Sequence, residues 1–200
     1  MRLIKGIVMA IGVIGILAIF ALLTGLYLYS LSPSILGRAV PVSLSADAAQ
    51  SFDTKLETAN TQIKSAFEAR QKRDVNLSIT ESEANSKLRQ MIAEGQLPLK
   101  AVLINFGDNN FLAYGVMDAP VIDAKVGMIG RIDIKDGKPK VIVDEFNLGK
   151  LPLSQSAKVR AEQLANIVLS LQIADVPLDI TSVQISNHQI TISGTTRTGE

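Results

Sequence analysis

The chain predicts an α+β domain held behind an N-terminal transmembrane helix. Three observations carry that prediction. Residues 7–29 are apolar and uncharged throughout. Three later stretches repeat apolar residues at three- and four-residue steps, the period of a helix. The segment 97–148 and the region around residues 183–192 instead alternate with a period of two, the signature of strands. Helices kept apart from runs of hairpin-joined strands indicate α+β with an antiparallel sheet. The expected architecture is a twisted antiparallel sheet packed against one long helix and two shorter ones.

The apolar run is broken only by Gly12, Gly15, Thr24 and Gly25. At about 1.5 Å per residue it spans roughly 30 Å, the thickness of a bilayer core. Arg2 and Lys5 precede it, and the first acidic residue is Asp47. The positive-inside rule keeps residues 1–6 in the cytoplasm and exports the rest. A cleaved signal peptide is the rival reading, but its apolar region is shorter and ends at a small-residue cleavage site. Tyr27 and Tyr29 suit the outer membrane–water interface. The expected divisions are anchor 7–29, linker 30–45, extracytoplasmic domain 46–195 and flexible tail 196–200, all on the cell membrane as a single-pass protein.

Composition narrows the partners. Without the anchor, the hydrophobic share falls from 47 % to roughly 42 %, enough for one folded domain. Residues 39–200 carry 17 Lys plus Arg against 19 Asp plus Glu. That balance gives no basic field for nucleic acid. The chain has no Cys, so its core rather than disulfides must hold it, and no lipoprotein anchor is open to it. No Trp and few Tyr and Phe argue against carbohydrate and single-strand stacking sites.

Pro33, Gly37 and Pro41 predict a linker without regular structure. A long helix follows over 46–73, with Phe52, Leu56, Ala59, Ile63, Ala66, Phe67 and Arg70 on one stripe. Val75, Leu77 and Ile79 alternate as a short strand. Thr80-Glu81-Ser82-Glu83 is a capping box that opens a helix, which buries Ala84, Leu88, Met91 and Ile92 and stops at Gly95. Strands at 97–106 and 111–117 turn at Asp108-Asn109, pairing Phe106 with Phe111 and Ile104 with Ala113. Strands at 121–135 and 138–148 turn at Asp136-Gly137, a type I′ signal. The 97–106 strand is apolar on both faces, Leu99, Ala101 and Leu103 on one and Val102, Ile104 and Phe106 on the other, so both are covered. A helix over 156–171 presents Ala157, Ala161, Leu164, Val168 and Leu171, widened by Ile167. The last hairpin turns at Asn187-His188 and pairs Ile185 with Ile190 and Val183 with Ile192. The polar tail after Gly194 frays.

Four stretches, in this order, resemble the YpmS-like family of bacterial single-pass membrane proteins. They are Ile79-Thr80-Glu81-Ser82-Glu83-Ala84-Asn85, Ile132-Asp133-Ile134-Lys135-Asp136-Gly137-Lys138-Pro139, Leu148-Gly149-Lys150-Leu151-Pro152-Leu153 and Ile190-Thr191-Ile192-Ser193-Gly194. The LmeA-like periplasmic proteins are a more distant likeness. The resemblance implies a bacterial membrane-anchored exported domain. Through the remoter relatives it implies a twisted sheet wrapped around a long helix, as in tubular lipid-binding proteins. It brings no catalytic residues with it.

Catalytic constellations do not emerge. His188, the only histidine, falls in a hairpin turn chosen for backbone conformation. Glu81 and Glu83 are explained by helix capping. Asp144 and Glu145 are strand neighbours that face opposite sides. Asp108-Asn109-Asn110 lacks the spacing of a calcium loop. Gly127 and Gly130 lie in a strand pattern rather than a phosphate loop. Met91, Met117 and Met128 read as core. No metal, cofactor or catalytic residue is expected, and the chain reads as non-enzymatic. Two functions remain: binding lipid or another amphiphile in an apolar groove, or docking on a membrane or cell-envelope complex. The groove's walls are expected from Phe52, Leu56, Ile63 and Phe67 of the long helix, with Leu99, Ala101, Leu103, Val126, Met128 and Ile132 of the strands.

Overall fold

A computed structural model of the chain describes residues 25–97, 99–117, 123–151, 154–173 and 176–198. The predicted anchor lies outside the described residues except for its end, helical over residues 25–30. Among the described residues no helix is long and apolar enough to cross a membrane. Residues 46–196 are α+β, with antiparallel strands and helices in the expected order: α1 (Ala46–Glu68), β1 (Asp74–Thr80), α2 (Glu81–Ala93), β2 (Leu99–Phe106), β3 (Phe111–Met117), β4 (Ala124–Lys135), β5 (Lys138–Leu148), α3 (Gln155–Ile173), β6 (Leu178–Ser186) and β7 (Gln189–Thr196).

The helix boundaries follow local chemistry. The Ser45 hydroxyl caps α1 by accepting the Ala48 amide at 3.0 Å. The helix ends at Glu68 rather than near residue 73. Arg70 takes φ of +52°, and the Gln71 amide reaches back to the Ala66 carbonyl at 2.9 Å, which closes the last turn. The capping box of α2 is formed in both directions: the Glu83 amide donates to the Thr80 hydroxyl at 3.3 Å, and the Thr80 amide donates to the Glu83 carboxylate at 2.9 Å. Gly95, at φ +71°, ends that helix with the Gln96 amide on the Met91 carbonyl. Asp136-Gly137 and Asn187-His188 take positive φ at both turn residues, as type I′ requires. The expected cross-strand pairs Phe106 with Phe111, Ile104 with Ala113, Ile185 with Ile190 and Val183 with Ile192 are all present.

One twisted sheet was the expectation; the strands form two. The smaller has the order β1-β7-β6 and the larger β2-β3-β4-β5. The split follows from β1, which pairs with β7 at the far end of the chain rather than with its sequence neighbour β2. The outer edge of β6 bonds the hairpin tips of the larger sheet: the Ile180 amide donates to the Gly137 carbonyl, and the Asn109 amide to the Ile185 carbonyl. The two sheets share a core in which Ile79 and Ile185 meet Phe106, Phe111, Val141 and Val143, with Ala84 of α2 among them.

Asparagines close both edges of the larger sheet. Asn85 of α2 accepts the Ile104 amide at 2.8 Å and donates to the Ile104 carbonyl at 2.7 Å. Asn166 of α3 does the same for Val141, at 2.8 Å in each direction. Each side-chain amide thus stands in for a strand residue and blocks further pairing. Glu162 also accepts the Val143 amide. This edge-on seat leaves Ile167 of α3 exposed rather than widening the buried face. The side chains of Leu164, Val168 and Leu171 lie outside the described residues.

The segment expected to be an irregular linker is built onto the larger sheet. Residues Ser34–Arg38 form a 3-10 turn. Ile35 is fully buried, and Pro33 and Ile35 sit against Gly127, where a Cβ would approach them at 3.2 and 3.4 Å. Arg38 pairs with Glu145, and the Val40 amide and carbonyl both bond the Asn105 side chain at 2.9 Å. Higher up, the Lys150 amide donates to the Leu28 carbonyl at 2.8 Å. This segment therefore covers the second face of the larger sheet at Asn105, Gly127 and Glu145, while Ala101 of β2 stays exposed, so the expectation that both faces of β2 are covered holds only in part. The tail also differs from expectation: β7 runs to Thr196, whose buried hydroxyl accepts the Arg73 amide at 2.8 Å and donates to the Gln71 carbonyl at 3.0 Å.

Candidate functional site

Period-two patterning gives the smaller sheet one apolar face. Val75, Leu77 and Ile79 of β1 lie opposite Gly194, Ile192 and Ile190 of β7, and Ile192 and Ile190 oppose Val183 and Ile185 of β6. A bulge between Ile180 and Ser182 adds a residue, so Leu178 and Ile180 stay on that face. Gly194 makes the bulge possible, since a Cβ there would sit 2.8 Å from the Asp179 carbonyl and 2.9 Å from the Leu178 side chain.

That face is longer than either neighbour can cover. At one end the larger sheet packs on Ile79, Ile185 and Ile190. At the other, Ala59 and Ile63 of α1 pack on Val75, with Leu77, Val176 and Leu178 around them. Because α1 lies mainly over β1 and only reaches β7, a cavity of about 420 Å³ remains beneath it. Its walls are Leu56, Ala59 and Ile63 of α1, Val75 and Leu77 of β1, Ile192 of β7, Leu178 and Ile180 of β6, and Val176. Polar groups stand at the margin only: Asn60, Lys138 and Arg197, with the Gly137 turn. The volume falls in the usual range for small-molecule sites, and mostly apolar walls with few polar groups are typical of them.

The ten residues expected to wall a groove do not converge. Leu56 and Ile63 line this cavity. Phe52, Met128 and Ile132 pack instead against the core shared by the two sheets. Phe67 is exposed on the last turn of α1, and Ala101 is exposed on β2. Leu99, Leu103 and Val126 are half-buried within the larger sheet. The partner of α1 is the smaller sheet rather than β2 and β4. The residues missed, Val176, Leu178, Ile180 and Ile192, carried a period-two signal, but nothing local told which helix they would face.

A larger concavity of about 670 Å³ lies between α2 and the start of α1. It is an open trough lined by Leu44, Ala49 and Ala93 together with Gln50, Asp53 and Arg89, and Asp53 is paired with Lys87 at 2.7 Å. Its walls are as apolar as those of the smaller cavity, and it differs in being more open.

The carboxylates that sequence assigns to capping have further partners. Burial opposes the charge on Glu83, but Lys55 at 2.8 Å, the Ser51 hydroxyl at 2.6 Å and the Thr80 amide outweigh it and hold the carboxyl at about 2. Lys55 also donates to the Ser78 carbonyl at 2.9 Å, so it sews α1 to the edge of β1. Glu81 is buried, accepts the Phe106 amide, and lies 3.1 Å from the His188 imidazole, which is itself 72 % exposed. These groups tie α2, β2 and the last hairpin together. Among the described residues, no three His, Asp or Glu side chains gather as a metal ion requires. Neither protein-family models nor curated proteins give a match to this chain.

Proposed function

We propose that this is a membrane-anchored extracytoplasmic domain that binds a lipid or another amphiphile without acting on it as an enzyme. The observation that carries the reading is the partly enclosed, mostly apolar cavity between α1 and the smaller sheet. Closing a solid core over these aliphatic residues would stabilise the fold by about 25 cal/mol for each Å² removed from water. An apolar space left open in a fold is where an acyl chain gains the same term. The apolar run at residues 7–29 with Arg2 and Lys5 before it supports the anchor and its orientation. The YpmS-like resemblance over residues 75–195 supports the same setting and, through its remoter relatives, lipid as the ligand.

Extraction of the purified full chain and mass spectrometry of what it carries tests the reading. Near-stoichiometric lipid in the wild type, lost in Ala59→Trp, is expected, since the added ring fills the cavity. A wild-type chain without bound amphiphile would refute it. A docking module is the second reading. Val159 and Ile167 favour it, because both are exposed on α3.

A further inference from the structure

We infer that the cavity takes an amphiphile whose head group is an anion, a carboxylate or a phosphate, received at the rim by Lys138 and Arg197. This rests on reading the cavity as an amphiphile site. The apolar walls can select a hydrocarbon tail but cannot select a head, so the polar margin decides.

Two of the three polar side chains on that margin are cations. Lys138 opens β5 directly after the Asp136-Gly137 turn, is exposed, and makes no ion pair among the described residues. Arg197 is fixed in place: its Nε donates to Asp179 at 2.8 Å and one Nη to the Leu178 carbonyl at 3.3 Å. A guanidinium has five N–H donors, so three remain for a ligand. Asp179 is the one acid meeting these cations, and Arg197 already answers its charge. Asp136, though next in sequence to Gly137, does not line the cavity. The margin therefore keeps an unanswered positive charge. The third polar side chain, Asn60 of α1, can donate to the same anion. A quaternary ammonium head would instead meet Lys138 directly and find no acid left to pair with.

The fixing of Arg197 matters as much as its charge. A guanidinium held by Asp179 and a backbone carbonyl loses little freedom when it binds an oxyanion. Lys138 supplies a more mobile point charge on the other side of the mouth.

The test uses the full chain released from neutral dodecyl maltoside micelles in native mass spectrometry. Four probes with the same tail are titrated: dodecanoate, dodecyl phosphate, dodecanol and dodecyltrimethylammonium. One unanswered positive charge at an exposed position, drawing an anion and repelling a cation by roughly threefold each, predicts that either anion exceeds the ammonium by about tenfold. Lys138→Glu, at an exposed site that does not threaten folding, turns the unanswered charge of the margin from positive to negative and should reverse that preference. The ratio of dodecanoate to dodecyl phosphate then tells a fatty acid from a phospholipid head. Equal retention of all four probes would overturn the anionic head while leaving the cavity as an amphiphile site. No adduct with any probe, or adducts that persist in Ala59→Trp, would overturn the cavity reading itself, and this inference with it.

Discussion

Asn85→Ala should be among the most damaging single changes in the domain. The side chain is 2 % exposed and makes three hydrogen bonds: to the Ile104 carbonyl at 2.7 Å, from the Ile104 amide at 2.8 Å, and to the Glu81 carbonyl at 2.7 Å. Alanine removes all three. It leaves the outward amide and carbonyl of Ile104 beneath α2, where water cannot easily replace the partner. A buried group left unpaired costs about 1–3 kcal/mol, so the two together give roughly 2–5 kcal/mol. For a domain of this size that lowers the melting temperature by about 5–15 °C. Asn166→Ala is the internal control. It breaks the same pair of bonds to Val141 at a half-buried site, where water can enter, so about 1 kcal/mol is expected. Thermal unfolding of the two full-length variants beside the wild type measures both. A loss below about 1 kcal/mol for Asn85→Ala, or a larger loss for Asn166→Ala, would refute the argument that burial sets the cost of an open edge.

Three further outcomes follow from particular contacts. Thr80→Ala deletes the cap of α2 and should cost about 0.5–2 kcal/mol in urea unfolding, with amphiphile binding unchanged at temperatures where the chain stays folded. Glu83 is held at about 2 against an ordinary 4.5, so the folded state favours its ionised form. Its contribution is complete above pH 4.5 and is lost as the pH falls toward 2. The full difference is at most ~3 kcal/mol, and the 38 % exposure of Lys55 reduces it to about 1–2 kcal/mol. Glu83→Gln should flatten the acid limb of a stability–pH curve, and an unaltered limb would show that other carboxylates dominate it. Gly149→Ala should release the chain at residues 28–30, because Gly149 has φ of +57° and its added Cβ would overlap the Tyr29 carbonyl. Hydrogen exchange at the Lys150 amide, bonded to Leu28, reports that release, and unchanged protection there would count against it.

Local chemistry was legible and long-range choice was not. The capping box at Thr80 and Glu83 and the turns at Asp136-Gly137 and Asn187-His188 are each decided within a few residues, so sequence alone places them. Period two likewise says which side chains of a strand share a face. It does not say which strand lies alongside, and β1 chooses β7 across more than a hundred residues. That choice divides the strands into two sheets and sets α1 over the smaller. It moved the apolar concavity from Leu99, Ala101 and Met128 to Leu178, Ile180 and Ile192. Asn85, Asn105 and Asn166 look like ordinary polar residues until the edges or backbone segments they bond are known. Pro33 and Gly37 suggest irregular chain, yet Pro33 leads into the 3-10 turn Ser34–Arg38 that contains Gly37, and neither residue announces the burial of Ile35 between them.

The central claim is that the space under α1 holds an acyl chain. A fatty acid carrying a diazirine on its tail, bound to the full chain and photolysed, marks the residues that touch the tail. Mass spectrometry of the digested protein should find the label on Leu56 or Ile63 of α1 and on the 178–192 hairpin, and Ala59→Trp should abolish it. Label confined to the Gln50, Asp53 and Arg89 trough, or to the apolar run at residues 7–29 alone, would contradict the account.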